Sequence, residues 1–199
     1  MERWQMEKLQ QQIAFILELD KLKAVLRRTK PTGLERQENT AEHSWHIATL
    51  ALVMAEYANE PVDMSHVVKM LLVHDIVEID ADDTMIYDVA ANADKWERES
   101  RAAERLFGLL PAAQCAEFKA LWLEYEAQST PEARFAKVAD RLMPILHNYH
   151  RQGEGWQIHK VRAHQVRQVN SVIDHGSNEL WAFVQSLIDD AVAKGYLAE

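Results

Sequence analysis

Four side chains stand among residues that do not suit them. His43 precedes a stripe containing Ile47 and Leu50, and His74 and Asp75 follow Leu71, Leu72 and Val73. Asp140 sits inside the apolar stretch from Phe135 to Met143. A carboxylate in such a place is costly unless a cation or several donors meet it. One divalent ion held by two imidazoles and two carboxylates answers that problem for all four at once. Adjacent helical residues lie about 100° apart around the axis, so His74 and Asp75 can both reach an ion over one edge of their helix. Glu78 falls one turn beyond His74 on the same face. It is placed to hold or deprotonate an attacking water rather than to ligate, which points to metal-assisted hydrolysis.

Taken singly, these residues have ordinary readings. A lone His43 is more often a hydrogen-bonded histidine, His-Asp is a common dipeptide, and Asp140 beside Arg141 suits a structural salt bridge. The joint pattern, spread over three helices, carries the metal reading.

Composition bounds the rest. The 199 residues are 48% hydrophobic and 27% charged, enough for one sizeable core and short for two full domains. A formal net charge of −9 argues against broad contact with a nucleic-acid backbone. A small phosphorylated substrate remains compatible, since a pocket needs only a few local cations. Cys115 is the only cysteine, which rules out an intrachain disulfide, suits a reducing compartment and reads as a packed small residue. The opening Met1-Glu2-Arg3-Trp4-Gln5 leads into no signal-peptide apolar block, and no apolar run approaches a membrane span. A soluble cytoplasmic protein is expected.

The elements that must position these groups read as helices throughout, in a single all-α domain that is not a regular four-helix bundle. Leu9, Ile13, Ile16, Leu17 and Leu22 recur at helical spacing between Glu2 and about Val25. Pro31 and Gly33 mark a loop from Arg27 to Asn39. Thr40 is expected to cap a second helix with Ile47, Leu50, Met54 and Tyr57 inward. A third should start near Asp63 or Ser65, bury Val67, Met70 and Leu71, and reach His74. An acidic loop from Asp80 to Asp88 precedes helices over Ala91 to Leu109 and Pro111 to about Gln128. Thr130-Pro131 gives an N-cap with Pro at the first helical position, and this helix runs past Asp140 with a bend at Pro144. Gly153 and Gly155 mark a loop near Trp156. Helices over His159 to Asp174 and Ser177 to Lys194 finish the chain, with Gly195 as C-cap.

The run Arg36-Gln37-Glu38-Asn39-Thr40-Ala41-Glu42-His43-Ser44-Trp45-His46 resembles the first motif of the HD-domain phosphohydrolases related to 5′-deoxynucleotidases. His74-Asp75-Ile76-Val77-Glu78-Ile79 with Asp82-Asp83-Thr84 is similar to their second motif, and Val138-Ala139-Asp140-Arg141-Leu142 to the closing one. Asn148-Tyr149, Gly153 and Trp156-Gln157 resemble a further signature of that branch. The similarity runs from about Leu19 to about His159, the motif-bearing core of one HD domain over 1–199 with C-terminal helices over 159–195.

The resemblance implies an HD fold with His43, His74, Asp75 and Asp140 as ligands of one divalent ion. It matches Glu78 and Asp83 to an acidic pair near the attacking water and the leaving group, Arg28 to a phosphate-binding arginine, and Arg36 to a second basic position. Thr29 departs from the pattern, because those deoxynucleotidases carry Trp after the arginine, associated with choosing deoxyribose. No His lies between His74 and His147, which argues for a single metal. The mixed donors fit Mn²⁺, Co²⁺, Fe²⁺ or Zn²⁺, and Mg²⁺ less naturally. The expected reaction is hydrolysis of a nucleoside (deoxy)5′-monophosphate. Alternatives are a nucleotide pyrophosphohydrolase or phosphodiesterase, or a non-catalytic metal-binding regulatory protein, against which Glu78 and Asp83 argue. Asp80, Asp82 and Asp88 read as residues of a solvated loop, one of which could orient Arg28 or the substrate; Trp45, Trp122 and Trp181 read as packing residues, and His66 as a surface histidine. His46 could line the site or sit at the surface. A homodimer is possible through apolar helices near both termini.

Overall fold

The local signals for starting and stopping helices fix most of the architecture. In the computed structural model, which describes residues 3–199, helices account for every extended element; two isolated β-bridges are the only strand-like pairings among the described residues. The expected start at Glu2 lies outside the described residues. Helix α1 (Arg3–Glu18) passes into a 3₁₀ turn (Leu19–Ala24), so the first helical stretch ends a turn earlier than its apolar spacing suggests. Phe15 is buried on α1, but Leu9, Ile13, Ile16 and Leu17 are exposed.

The loop over 25–39 is closed by its own backbone. Arg27 N donates to Glu38 O at 2.8 Å, Glu38 N to Thr29 O at 3.0 Å and Thr40 N to Val25 O at 3.0 Å. That ladder holds Arg27 and Glu38 side by side. Helix α2 (Thr40–Val53) begins at an Asn39 cap rather than at Thr40. Asn39 accepts from Glu42 N at 2.9 Å, and the Glu42 carboxylate accepts from Asn39 N, a reciprocal capping box. Thr40 is thereby released for another contact. Met54 is the C-cap and Tyr57 lies in a following 3₁₀ turn, both just beyond α2.

Helix α3 (Met64–Val73) is capped by Asp63 and leads directly into His74 and Asp75. Short α4 (Glu78–Ala81) follows, so the expected acidic loop begins only at Asp82. The next helix splits into α5 (Val89–Asn92) and α6 (Lys95–Phe107). Arg98 explains the break: its guanidinium donates to Asp94 Oδ1, Thr84 Oγ1 and the carbonyls of Ala81 and Ala91, binding loop and helix starts together. Helix α7 (Ala112–Ala127) precedes α8 (Pro131–His150), which opens on Thr130 with Pro131 at N1 and runs through Pro144.

Beyond α8 the structure departs from the expected loop and long helix. Helix α9 (Glu154–Ile158) starts at Gly153, whose φ of +76° favours glycine, and Asn148 Oδ1 accepts from Trp156 N to dock it on α8. Helices α10 (Ala163–Asn170) and α11 (Ile173–Gly176) replace a single helix from His159. Helix α12 (Asn178–Ala193) has Lys194 rather than Gly195 as its C-cap; Gly195, φ +74°, follows it and turns the chain, with Tyr196 N bonded to Ala191 O and Gly195 N to Val192 O. The core gathers around α8, which packs on α2, α3, α7, α11 and α12; α2 and α3 also pack on each other. Trp122 and Trp181 pack as expected, whereas Trp45 is exposed. Among the described residues no helix is long and apolar enough to cross a membrane.

Candidate active site

The end of α3, the inner face of α2 and the middle of α8 meet at one point. His74 Nδ1 lies 2.9 Å from the Leu71 carbonyl, which can only accept, so Nδ1 carries a proton and, in the neutral imidazole, Nε2 presents its lone pair. That Nε2 is buried without a hydrogen-bond partner, 3.0 Å from Asp75 Oδ1 and 4.0 Å from Asp140 Oδ1. His43 Nε2 lies 3.1 Å from Asp140 Oδ1. A lone pair facing carboxylate oxygen is repulsive unless a cation stands between them. Donor atoms of His43, His74 and Asp75 fall within 4.8 Å of one another, a separation one divalent ion can draw together. These three residues therefore fit a metal, and Asp140 Oδ1 lies beside both imidazoles.

The second oxygen of Asp140 is held from behind. Oδ2 accepts from Tyr125 Oη at 2.7 Å and lies 3.3 Å from Lys137 Nζ, which itself donates to Tyr125 Oη at 2.8 Å. Arg141 is more distant, its Nε 3.9 Å away. Burial works against the Asp140 carboxylate, yet Lys137, His43 and Arg141 hold its pKa well below the usual range. The Tyr125 ring packs on His74, centroids 4.6 Å apart. Neither Tyr125 nor Lys137 announces this role in the sequence; helical spacing from Asp140 is the only signal, and it places Lys137 one turn away.

A second group of acids faces the cluster. Glu78, 4% exposed, accepts from Thr40 Oγ1 at 2.9 Å. Burial and the neighbouring Asp75 and Asp83 charges raise its pKa well above the ordinary value. Asp83 is raised too, first by burial and then by Asp75, against the pull of Arg27. Arg27, not singled out from the sequence, sits at the centre: Nη1 is 3.1 Å from Asp75 Oδ2 and 3.6 Å from Asp83 Oδ1, and Nε is 3.8 Å from Glu38 Oε2. Burial disfavours its charge, but Asp75, Asp83, Glu78 and Asp140 outweigh that and keep it protonated.

These groups open into one cavity of about 1080 Å³, its open mouth included, lined by His74, Asp75, Glu78, Asp83 and Asp140. Arg28 and Thr29 line its rim, and Arg28 is exposed and makes no ion pair or hydrogen bond among the described residues. Tyr87, Trp156 and Asn170 line it as well. Arg36 is not brought to the cavity. It is exposed and bound in two-point fashion to Glu42, at 2.8 and 2.5 Å, because the capping box fixes that carboxylate at the start of α2. Asp80 pairs with Arg105 and does not orient Arg28; Asp88 caps α5. His66 pairs with Glu124 at 2.8 Å.

The chain belongs to the HD-domain family, whose model matches residues 19–181. It is related to 5′-deoxynucleotidase HDDC2 of zebrafish (Danio rerio), 32% identical over 141 residues, 67% of this chain and 69% of that protein. Human HDDC2 is 31% identical over 136 residues, 66% of this chain and 65% of its own length. A solved structure from Magnetospirillum magnetotacticum, described as a predicted metal-dependent phosphohydrolase, is 52% identical, covers both chains completely and superposes with a TM-score of 0.95. An HD-domain phosphohydrolase from Listeria innocua, 16% identical with a TM-score of 0.57 over 90% of this chain and 89% of that one, shares the fold.

Proposed function

We propose that this chain is a metal-dependent phosphomonoesterase acting on nucleoside 5′-monophosphates, with His43, His74, Asp75 and Asp140 holding one divalent ion. The observation that carries the reading is the placement of Glu78 and Asp83 in the same cavity as His74, Asp75 and Asp140, since holding a metal requires neither. The relatives named as 5′-deoxynucleotidases support the substrate class.

When bound, a divalent ion supplies phosphoryl polarisation and a more acidic water. Glu78 takes the proton of the attacking water on one carboxylate oxygen, while Thr40 fixes the other. Water oxygen bonds to phosphorus as the ester P–O bond breaks, and Asp83 delivers a proton to the departing 5′-oxygen or holds the sugar. Arg28 has the free guanidinium at the rim and meets the phosphate. Arg27, already engaged by Asp75 and Asp83, fixes the spacing of the acids. Arg36 takes no part, being committed to Glu42.

The test is orthophosphate release from ribo- and deoxyribonucleoside 5′-monophosphates by metal-stripped protein reloaded with Mn²⁺, Co²⁺, Zn²⁺ or Mg²⁺, with Asp75→Ala as control. Release by wild type alone supports the reading, and the ribo-to-deoxy ratio reports the consequence of Thr29. No release with metal bound overturns it in favour of pyrophosphate or diester substrates.

A further inference from the structure

We propose that Glu38, His46 and His147 form a second cation site, on the opposite side of His43 from the first cluster, for a borderline divalent ion such as Zn²⁺ or Co²⁺. The three donors come from three elements, the loop over 25–39, α2 and α8, and their ligand atoms lie within 4.8 Å of one another. None of them is needed by the hydrolytic reading above, and the inference stands independently of it.

The space between them is lined by polar atoms left without partners. His147 is 4% exposed, and its Nδ1 has no hydrogen-bond partner although it is aimed at Glu38, 4.0 Å from Oε2. Glu38 is 1% exposed. Its Oε2 lies 3.6 Å from His43 Nδ1, also unpartnered and too far for a hydrogen bond, and accepts only a long bond from Thr29 Oγ1 at 3.3 Å. The nearest cation, Arg27, turns its Nη1 to Asp75 and Asp83 and offers Glu38 only an Nε at 3.8 Å. A carboxylate this deeply buried is thus met only by long contacts, which leaves its burial incompletely compensated. The half-buried His46 ring faces His147, centroids 5.7 Å apart.

Two imidazoles and one carboxylate suit zinc or cobalt better than magnesium or calcium. Zinc–nitrogen bonds of about 2.0–2.1 Å put tetrahedral ligands roughly 3.4 Å apart, so the 4.0 Å separation of Glu38 and His147 needs to close by little. Three protein ligands leave a position open. Occupation ties the loop carrying Arg27 and Arg28 to α2 and α8.

Metal-stripped full-length protein is titrated with Co²⁺, reading cobalt absorption and the metal retained after desalting. Wild type is expected to bind two equivalents, and His46→Gln/His147→Gln one. A wild type that binds a single equivalent and keeps it in the double variant, as expected if only water fills the space, overturns the proposal. So does a double variant that keeps both equivalents, which would place the second ion elsewhere, for example at Glu78 and Asp83. Should the double variant lose its circular-dichroism signature of folding, His46→Gln alone decides: it is expected to weaken one equivalent ~10-fold or more, and unchanged affinity overturns the site.

Discussion

Thr40 Oγ1 donates to Glu78 Oε2 at 2.9 Å, joining the first turn of α2 to the first turn of α4 with both side chains buried. The contact exists because Asn39, and not Thr40, caps α2. It leaves one Glu78 oxygen free to face the cavity. Thr40→Val keeps the shape and removes the donor, leaving a buried carboxyl oxygen unpartnered at a cost of about 1–3 kcal/mol. The expected outcome is a kcat lowered ~10-fold with KM unchanged, and recovery in Thr40→Ser. A matching fall in Thr40→Ser, or a change in KM alone, removes Thr40 from a positioning role.

Glu78 and Asp75 lie one turn apart and should fail differently. Asp75→Ala removes a ligand, and both bound metal and turnover should disappear. Glu78→Gln should retain the metal and lower kcat by ~10²–10⁴-fold, the usual worth of a general base. Metal analysis beside steady-state kinetics separates the two. Unchanged turnover in Glu78→Gln would take it out of the mechanism.

How far the sequence disclosed this arrangement depended on the kind of signal. Capping residues and apolar periodicity located α2, α3, α8 and α12, because those cues are local. The break between α5 and α6 and the turn that starts α9 come from tertiary contacts: Arg98 gathers carbonyls from other segments, and Gly153 lies under the Tyr196 backbone. His43, His74, Asp75 and Asp140 were conspicuous because polar side chains interrupted apolar runs. Arg27 and Glu38 were not, since they lie in a polar loop whose backbone ladder alone turns them inward. Tyr125 reaches Asp140 only because α7 packs on α8.

The two arginines near the first motif should separate cleanly. Arg28 is unpaired at the cavity rim, and Arg28→Ala should raise KM for a phosphomonoester by ~10–100-fold, the loss of about 1.5–3 kcal/mol for a charged hydrogen bond. Arg36 is spent on Glu42 away from the cavity, so Arg36→Ala should leave kcat and KM within about twofold of wild type, as surface ion pairs contribute little. A large KM effect in Arg36→Ala would show that the Glu42 pair opens when substrate arrives.

Removing the metal should loosen the fold as well as stop catalysis, because the first cluster joins α2 and α8 to the end of α3. An ion that binds only the folded state stabilises it by about 2.7 kcal/mol at a concentration of 100 times Kd. Chelation should therefore lower Tm, and adding Mn²⁺ or Co²⁺ should restore it in wild type by more than in Asp75→Ala. Equal Tm shifts in both proteins would mean that the ion acts elsewhere.

Gly176 and Gly33 offer a test of packing against backbone strain. Gly176 ends α11 where it crosses α8, and a Cβ there would lie 2.6 Å from both Arg134 O and Val138 Cγ2. Its backbone also anchors the turn after α2, since Asn59 N donates to Gly176 O at 2.9 Å. Gly176→Ala must push α11 away from α8, and overpacking of this kind costs about 1–3 kcal/mol. At Gly33 a Cβ meets nothing within 4 Å, but φ is +81°, so Gly33→Ala bears only the left-handed penalty of about 1–2 kcal/mol. Gly33 lies in the polar loop, whereas Gly176 lies against the α8 face opposite the turn bearing Asp140. Gly176→Ala should therefore lower the urea midpoint more than Gly33→Ala and weaken metal retention with it, while Gly33→Ala leaves retention intact. If the two variants lose equal stability and both keep their metal, the α11–α8 contact has room to relax and does not support the site.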